Sequence, residues 1–150
     1  SGPGMAVGAA LALKGSGRLP IAVVGDGDFL MGVTALWTAV HYGIPLLVIV
    51  ANNSAFYNDE IHQERVANDR GRPVANKWIG QHITNPEVDL ASMASAQGCH
   101  GIGPIRDART LRDAIAQGQA VVDAGGVAVL DVRVRAGYGQ AMSKMVERED

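Results

Sequence analysis

The stretch that decides the fold runs from residue 20 to residue 53 and reads PIAVVGDGDFLMGVTALWTAVHYGIPLLVIVANN. Two apolar runs lie near its ends, Pro20–Val24 and Pro45–Val50. Continuous apolar runs of this length are typical of parallel strands that are covered on both faces. Between them, Phe29–Tyr42 carries its apolar residues at helical spacing. The order of strand, glycine-rich turn, helix and strand predicts a βαβ unit.

Regular patterns continue on both sides of this unit. Before it, Met5–Leu13 predicts a buried, alanine-rich helix. After it, the patterns predict a short helix at Asp59–Asn68, a helix at Asp89–Ala96, a strand at Cys99–Ile102, a helix at Arg109–Asp123 capped by Thr110, and a strand at Val127–Val134. This alternation predicts the α/β class, with a doubly wound, mostly parallel sheet and helices on both faces.

We expect one domain over residues 1–150, as part of a longer polypeptide, because the chain starts without a methionine and runs directly into a helix. Two segments lie outside the regular pattern. Residues 54–86 are polar and longer than most connections in a compact domain, so we expect a mobile active-site loop there. Residues 135–150 form a mostly polar tail, which would either close over the active site or pack on the domain.

Composition restricts the class of protein. Apolar residues make up 47% of the chain and charged residues 19%, a globular composition that excludes intrinsic disorder. The net charge of -2 argues against nucleic acid or an anionic membrane as a partner. No apolar run reaches the about 20 residues that a membrane-spanning helix needs. The single cysteine, Cys99, excludes an intrachain disulfide framework, and we expect a buried thiol in a cytoplasmic protein.

Polar residues follow both strands of the βαβ unit. Gly25-Asp26-Gly27-Asp28 follows the first strand and Asn52-Asn53 the second. Ligands of parallel sheets bind at the carboxyl ends of strands, and glycines before a helix allow a phosphate to approach its N-terminus. Two aspartates would repel a bare phosphate. A divalent cation between carboxylate and phosphate removes this conflict, and Asp and Asn oxygens suit Mg²⁺ or Ca²⁺.

The motif Gly25-Asp26-Gly27, followed after 24 residues by Asn52-Asn53, resembles the thiamine-diphosphate binding motif. Residues 4–53 are similar to the cofactor-binding domain of the decarboxylase and acetolactate-synthase-like enzymes, and the elements after residue 89 fit the same domain. The resemblance implies the thiamine-diphosphate-binding fold, in the C-terminal part of a longer chain.

The resemblance also implies roles for individual residues. The side chains of Asp26 and Asn53 and the backbone carbonyl of Ala55 would hold Mg²⁺, with diphosphate oxygens and a water completing an octahedron. The cofactor would lie against Gly25, Asp26, Gly27, Asp28, Phe29 and Asn53, with backbone N–H groups at the helix start binding its diphosphate.

The activity implied by the resemblance is cleavage or formation of a C–C bond next to a carbonyl, on a 2-oxo acid or related substrate. A lyase (decarboxylase) or a transferase (acetolactate-synthase-like carboligase) would both fit. The catalytic glutamate of the family belongs to a second domain or subunit, so this segment would be half a site in a homodimer or homotetramer. FAD would bind, if at all, in a region upstream. Within this segment, His62 and Tyr57 are catalytic candidates, and a histidine there could move protons near neutral pH.

Simpler interpretations exist for the same residues. Asp26 or Asp28 would also serve as a helix cap, and Asn52 as a turn residue at a strand end. A different class, a nucleotide- or flavin-binding flavodoxin-like domain without C–C chemistry, predicts binding without a divalent metal and no role for Asn53.

Met31 and Trp37 are expected in the core, and a buried, hydrogen-bonded histidine is expected at position 41.

Overall fold

The computed structural model describes residues 2–137. Its helices and strands follow the predicted order, but the expectation of a buried helix at Met5–Leu13 is wrong, since Met5 and Leu11 are 65% and 55% exposed. The predicted tail lies largely outside the described residues. In chain order the elements are α1 (Gly2–Leu13), β1 (Ile21–Gly25), α2 (Asp26–Gly32), α3 (Ala35–His41), β2 (Leu46–Asn52), α4 (Tyr57–Asp69), α5 (Leu90–Ala96), β3 (His100–Ile105), α6 (Ala108–Asp123) and β4 (Val127–Arg133).

The four strands form one parallel sheet in the order β1-β2-β4-β3. Helices cover both faces of this sheet, because successive side chains of a strand point to opposite sides. Leu46, Val48 and Val50 of β2 pack with α1, α2, α3 and α5, whereas Leu47 packs with α6 on the other face. The doubly wound α/β fold is therefore confirmed, and the continuous apolar run of β2 reflects burial on both sides.

The register of the sheet brings the functional segments to one edge. Gly25, the last residue of β1, pairs with Ala51 of β2, and Asn52 at the end of β2 pairs with Arg133 at the end of β4. The turns after these strands therefore open at the same side of the sheet, where ligands of such folds bind.

The predicted helix over Phe29–Tyr42 is wrong as a single element. It is two short helices, α2 and α3, and α2 begins inside the glycine-rich motif at Asp26. The two helices bury mainly Phe29, Leu36 and Ala39 against the sheet and α1. This narrow face leaves other apolar side chains on the surface, so two of the predicted core residues are 67% and 52% exposed, namely Met31 and Trp37.

The expectation of a buried histidine at position 41 is also wrong. His41 is exposed, and its ring stacks on that of Trp37 with the centroids 4.7 Å apart.

In residues 54–86, the predicted short helix is confirmed as α4 and is slightly longer than expected. Among residues 2–137, no helix combines the length and the apolar character that crossing a bilayer requires.

Helix α6 begins before the residue that the sequence suggested as its cap. The cap is Asp107, and not Thr110. One carboxylate oxygen of Asp107 accepts hydrogen bonds from the backbone N–H groups of Arg109 and Thr110 at 3.0 and 2.9 Å, and the other accepts from the Thr110 hydroxyl at 2.6 Å. The helix therefore starts one residue earlier, and Thr110 supports the cap from its third position.

Replacing Asp107 by alanine is expected to loosen the first turn of α6. The hydrogen bonds from Thr110 hold the pKa of Asp107 below its usual value of 3.8. A lowered pKa in the folded state stabilises the fold above the unfolded-state pKa, and this contribution is lost as the pH falls through the folded-state pKa. Amide hydrogen exchange of the first α6 turn should become several-fold faster in Asp107→Ala at neutral pH.

The matched control is Asp113→Ala, which removes an exposed carboxylate from the middle of the same helix. It should leave exchange in the first turn unchanged. Equal exchange in wild type and Asp107→Ala at neutral pH would show that Asp107 does not cap the helix. The difference between the two proteins should also shrink when the pH is taken below the pKa of Asp107.

Candidate cofactor and metal site

The carboxyl ends of β1 and β2 open into a cleft of about 380 Å³, a volume typical of small-molecule sites. Its walls come from the turn after β1, the turn after β2 and the first turn of α4. Among the lining residues are Gly25, Asp26, Asp28, Asn53, Ala55 and Tyr57. The structure thus brings the two polar strand ends together, as the spacing of the motif predicts.

Asp26 joins the two turns. Its side chain is buried, with 3% of the residue exposed. One carboxylate oxygen, Oδ1, accepts from the backbone N–H of Gly27 at 3.0 Å, and the other, Oδ2, accepts from the N–H of Ala55 at 3.1 Å. Burial raises the pKa of the Asp26 carboxyl, and these backbone hydrogen bonds oppose the rise. A carboxylate in this environment gains from a nearby cation, which offsets the cost of its burial.

Asn53 and Ala55 lie beside this carboxylate. The side-chain oxygen of Asn53, Oδ1, accepts from the same Ala55 N–H at 3.0 Å, so it is a near neighbour of Asp26 Oδ2. Ala55 forms an isolated antiparallel bridge with His82. The flanking hydrogen bonds run from Phe56 N to Gln81 O and from Ile83 N to Ser54 O. In such a bridge the paired residues, Ala55 and His82, exchange no hydrogen bonds with each other. The N–H and the carbonyl of Ala55 therefore point away from His82 and towards the side on which Asp26 lies.

These residues fit a hard divalent cation. They offer a carboxylate, an amide oxygen and a backbone carbonyl, which are ligand types that Mg²⁺ prefers. Residues 2–137 contain no group of three His, Cys, Asp or Glu side chains placed to hold a metal. Mg²⁺ usually takes only one or two carboxylates from a protein and completes its shell with water and substrate phosphate oxygens, which this set of ligand atoms would allow.

Gly27 lies against an aromatic side chain that the sequence does not place there. A Cβ atom at this position would lie 2.2 Å from the ring of Phe56, whereas at Gly25 it would meet nothing within 4 Å. The N–H of Gly27 is already bonded to Asp26. The glycine therefore makes room for an aromatic side chain, and the expected approach of a phosphate stays a prediction. The side chain of Phe29 is fully buried, so only its backbone can meet a cofactor.

The structure separates the two catalytic candidates in residues 54–86. Tyr57 lines the cleft from the first turn of α4. His62 lies further along the helix, is exposed and is not among the residues that line the cleft. Proximity to the cleft therefore supports only Tyr57. The buried thiol is as expected, since Cys99 is 8% exposed and burial raises its pKa to about 11.

Sequence reasoning missed the residues behind the turn that follows β2. Asn52 was assigned to a simple turn, but its side chain is buried and donates to Asp131 at 2.8 Å. Asp131 and Arg133 lie two residues apart in β4 and beside the end of β2. The available signal was the change from a continuous apolar run to charged residues at alternate positions in this strand.

The fold and the paired strand ends define a cofactor-binding α/β domain. The family model "Thiamine pyrophosphate enzyme, C-terminal TPP binding domain" matches residues 1–132, and the chain belongs to this family. It is thus a domain of a thiamine-diphosphate-dependent enzyme. The resemblance of the motif is confirmed, and the match favours this class over the flavodoxin-like alternative.

Solved structures with the same fold include thiamine-diphosphate enzymes. The 4-hydroxybenzoylformate decarboxylase of Rhodococcus jostii RHA1 matches 90% of this chain at 27% identity and a TM-score of 0.61. The benzoylformate decarboxylase of Polynucleobacter necessarius matches 89% at 22% identity and a TM-score of 0.65. A putative thiamin diphosphate-dependent enzyme of Mycobacterium smegmatis matches 89% at 24% identity and a TM-score of 0.57. The matches cover 22%, 23% and 21% of those chains, so this chain spans about a fifth of their length.

Proposed function

We propose that this domain binds thiamine diphosphate through Mg²⁺ held by Asp26, Asn53 and the carbonyl of Ala55, in an enzyme that decarboxylates a 2-oxo acid. One observation carries the proposal: a buried Asp26 oxygen and the Asn53 side-chain oxygen both lie about 3 Å from the same Ala55 nitrogen. Two hard oxygen ligands from two strand ends are thereby held beside a cleft of cofactor size.

The residues of this chain would bind and orient the cofactor. When bound, thiamine diphosphate supplies a carbon nucleophile and an electron sink for cleavage next to a carbonyl. Asp26 and Asn53 would fix the metal that neutralises the diphosphate, while the open space beside Gly25 admits it. The backbone at Asp28 and Phe29 would contribute N–H groups at the start of α2. Tyr57, at the wall of the cleft, is one residue that would exchange a proton with a substrate.

The domain would form half of a site. We propose that the pyrimidine end of the cofactor is held by another domain or by a second subunit, in a cytoplasmic homodimer or homotetramer. Support comes from the cleft, which opens at one edge of the sheet, and from the similar enzymes, which are more than four times as long as the matched segment. FAD binding elsewhere in the intact protein stays a prediction.

Aromatic 2-oxo acids are the first substrates to test. The first two similar structures are named as decarboxylases of 4-hydroxybenzoylformate and of benzoylformate. Carboligation of the acetolactate-synthase type is the competing reaction, and it would give acetolactate from pyruvate. Formation of benzaldehyde and CO₂ from benzoylformate would support the decarboxylase, whereas acetolactate formation without aldehyde release would support the carboligase.

Calorimetric titration of thiamine diphosphate into the intact protein tests the proposed cofactor directly. The titration is run with Mg²⁺ and again with the metal chelated by EDTA. We expect saturable binding with Mg²⁺ and a loss of affinity with EDTA, since the diphosphate then faces the Asp26 carboxylate without a cation. Absence of binding in the presence of Mg²⁺ by the folded intact protein would refute the proposal.

A further inference from the structure

A buried charged pair lies behind the proposed metal-ligand turn. Asp131 is 1% exposed although it belongs to a strand that is otherwise apolar up to this point. A buried carboxylate is costly unless other groups satisfy it. One of its oxygens accepts from the Asn52 amide at 2.8 Å, and the other lies 3.7 Å from the Nε of Arg133. This Nε atom makes no hydrogen bond within residues 2–137, and 16% of the Arg133 side chain is exposed.

The guanidinium of Arg133 reaches the turn itself. Its Nη1 donates to the hydroxyl of Ser54 at 3.0 Å, and its Nη2 lies 4.0 Å from a Glu87 carboxylate oxygen. Ser54 stands between Asn53 and Ala55, which are the two ligands proposed from this turn. The contact therefore joins β4 to the centre of the ligand turn, across 79 residues of sequence.

The backbone of Ser54 is strained. Its φ is +57°, in the left-handed region that residues other than glycine adopt at a cost. Neighbouring groups hold it there: the Asn52 side-chain oxygen accepts from Ser54 N at 3.0 Å, and Ile83 N donates to the Ser54 carbonyl at 2.8 Å. Asn52 is itself hydrogen-bonded to Asp131. Strand β4 therefore contacts Ser54 directly through Arg133 and indirectly through Asp131 and Asn52.

We propose that Arg133, oriented by Asp131, is a positioning residue that keeps Ser54 in its left-handed conformation and so aims the Asn53 side chain and the Ala55 carbonyl at the metal. The inference rests on the proposed Mg²⁺ and thiamine-diphosphate site. A turn with relaxed φ at its central residue would point the two flanking ligands in other directions. Groups that orient metal ligands in this way typically change metal affinity by about 10- to 100-fold when they are removed.

The first test compares Arg133→Met with wild type in the intact protein. Methionine keeps most of the apolar stem of Arg133 and removes every donor. Thiamine diphosphate is titrated by calorimetry at a series of Mg²⁺ concentrations. We expect about 10- to 100-fold weaker binding in Arg133→Met and a higher Mg²⁺ requirement. The matched control is Arg112→Met, at an exposed position of α6, which should bind as wild type does.

A second substitution separates positioning from a general structural role. Glycine adopts a positive φ without strain, so Ser54→Gly added to Arg133→Met should restore most of the lost affinity. If Arg133→Met does not fold, Ser54→Ala takes its place, because alanine removes the hydroxyl acceptor but keeps the strain. We then expect weaker binding in Ser54→Ala and near-normal binding in Ser54→Gly.

The outcomes are distinguishable. Unchanged affinity in Arg133→Met, or a loss that glycine at position 54 does not restore, overturns the positioning role while the metal site stands. In the replacement pair, equal affinities of Ser54→Ala and Ser54→Gly overturn it in the same way. Absence of Mg²⁺-dependent binding by wild type refutes the proposed function, and the positioning role with it.

Discussion

Asp26→Ala is expected to abolish Mg²⁺-dependent binding of thiamine diphosphate, with an affinity at least about 100-fold below that of wild type. Removing a group that only orients a metal ligand typically lowers metal affinity by about 10- to 100-fold. Loss of a direct ligand should lower it further. Asp26 is buried at the start of α2, and one of its carboxylate oxygens links this helix to the turn after β2 through the Ala55 N–H. The substitution therefore removes the proposed ligand and the hydrogen bond that places Ala55 beside it.

The measurement is the calorimetric titration with and without EDTA, carried out on the intact protein. Asp26→Asn is a near-isosteric companion, in which an amide group replaces one of the two acceptors of backbone N–H groups. It should also bind poorly, because it lacks the charge that attracts the cation. Asp113→Ala, on the exposed surface of α6, is the control and should bind normally. Wild-type affinity and Mg²⁺ dependence in Asp26→Ala would refute Asp26 as a ligand.

Gly27→Ala is expected to destabilise the domain and to impair cofactor binding. The new Cβ would lie 2.2 Å from the Phe56 ring, far inside the contact distance of two carbons. Overpacking of this kind costs about 1–3 kcal/mol and shifts the neighbouring groups. Phe56 follows Ala55 in the chain, so displacement of its ring would also move the proposed carbonyl ligand.

A double-mutant cycle with Phe56→Ala checks this explanation. Removing the ring should cancel most of the stability cost of Gly27→Ala, so the two substitutions should be non-additive. The midpoint of urea unfolding of the intact protein and hydrogen exchange of the α2 amides report the effect. Gly25→Ala is the control for folding, since its Cβ would meet nothing within 4 Å. Additive effects at positions 27 and 56 would contradict the clash.

Much of the fold could be predicted from local patterns. The apolar run that became β2 is continuous because both faces of the sheet are covered there. The same expectation is wrong for β1, an edge strand whose Ile21 and Val23 are 54% and 70% exposed. The polar ends of the two strands, at Asp26 and Asn53, meet because the carboxyl ends of parallel strands lie at one edge of a sheet. Spacing along the chain thus predicted which residues share the cleft, without knowledge of their distances.

Local patterns failed where the outcome depends on a neighbour distant in sequence. Periodicity over Phe29–Tyr42 indicates one helix, but it does not say which side the sheet and α1 will cover. Met31 and Trp37 are apolar and still lie on the surface, because the covered face is narrow. The cap of α6 was misplaced for a simpler reason: Asp107 and Thr110 are both good capping residues, and only the backbone geometry separates them.

The sequence by itself determined the α/β class, the parallel pairing of the first two strands and the edge at which Asp26 and Asn53 lie. Only the tertiary structure showed that the Phe56 ring packs against Gly27, and that Ser54 adopts a left-handed conformation with its hydroxyl bonded to Arg133. The physical reason is the separation along the chain over which each kind of interaction acts. Hydrophobic periodicity and turn chemistry act over a few residues, whereas a close approach or a buried charge depends on atoms that meet only after the chain has folded.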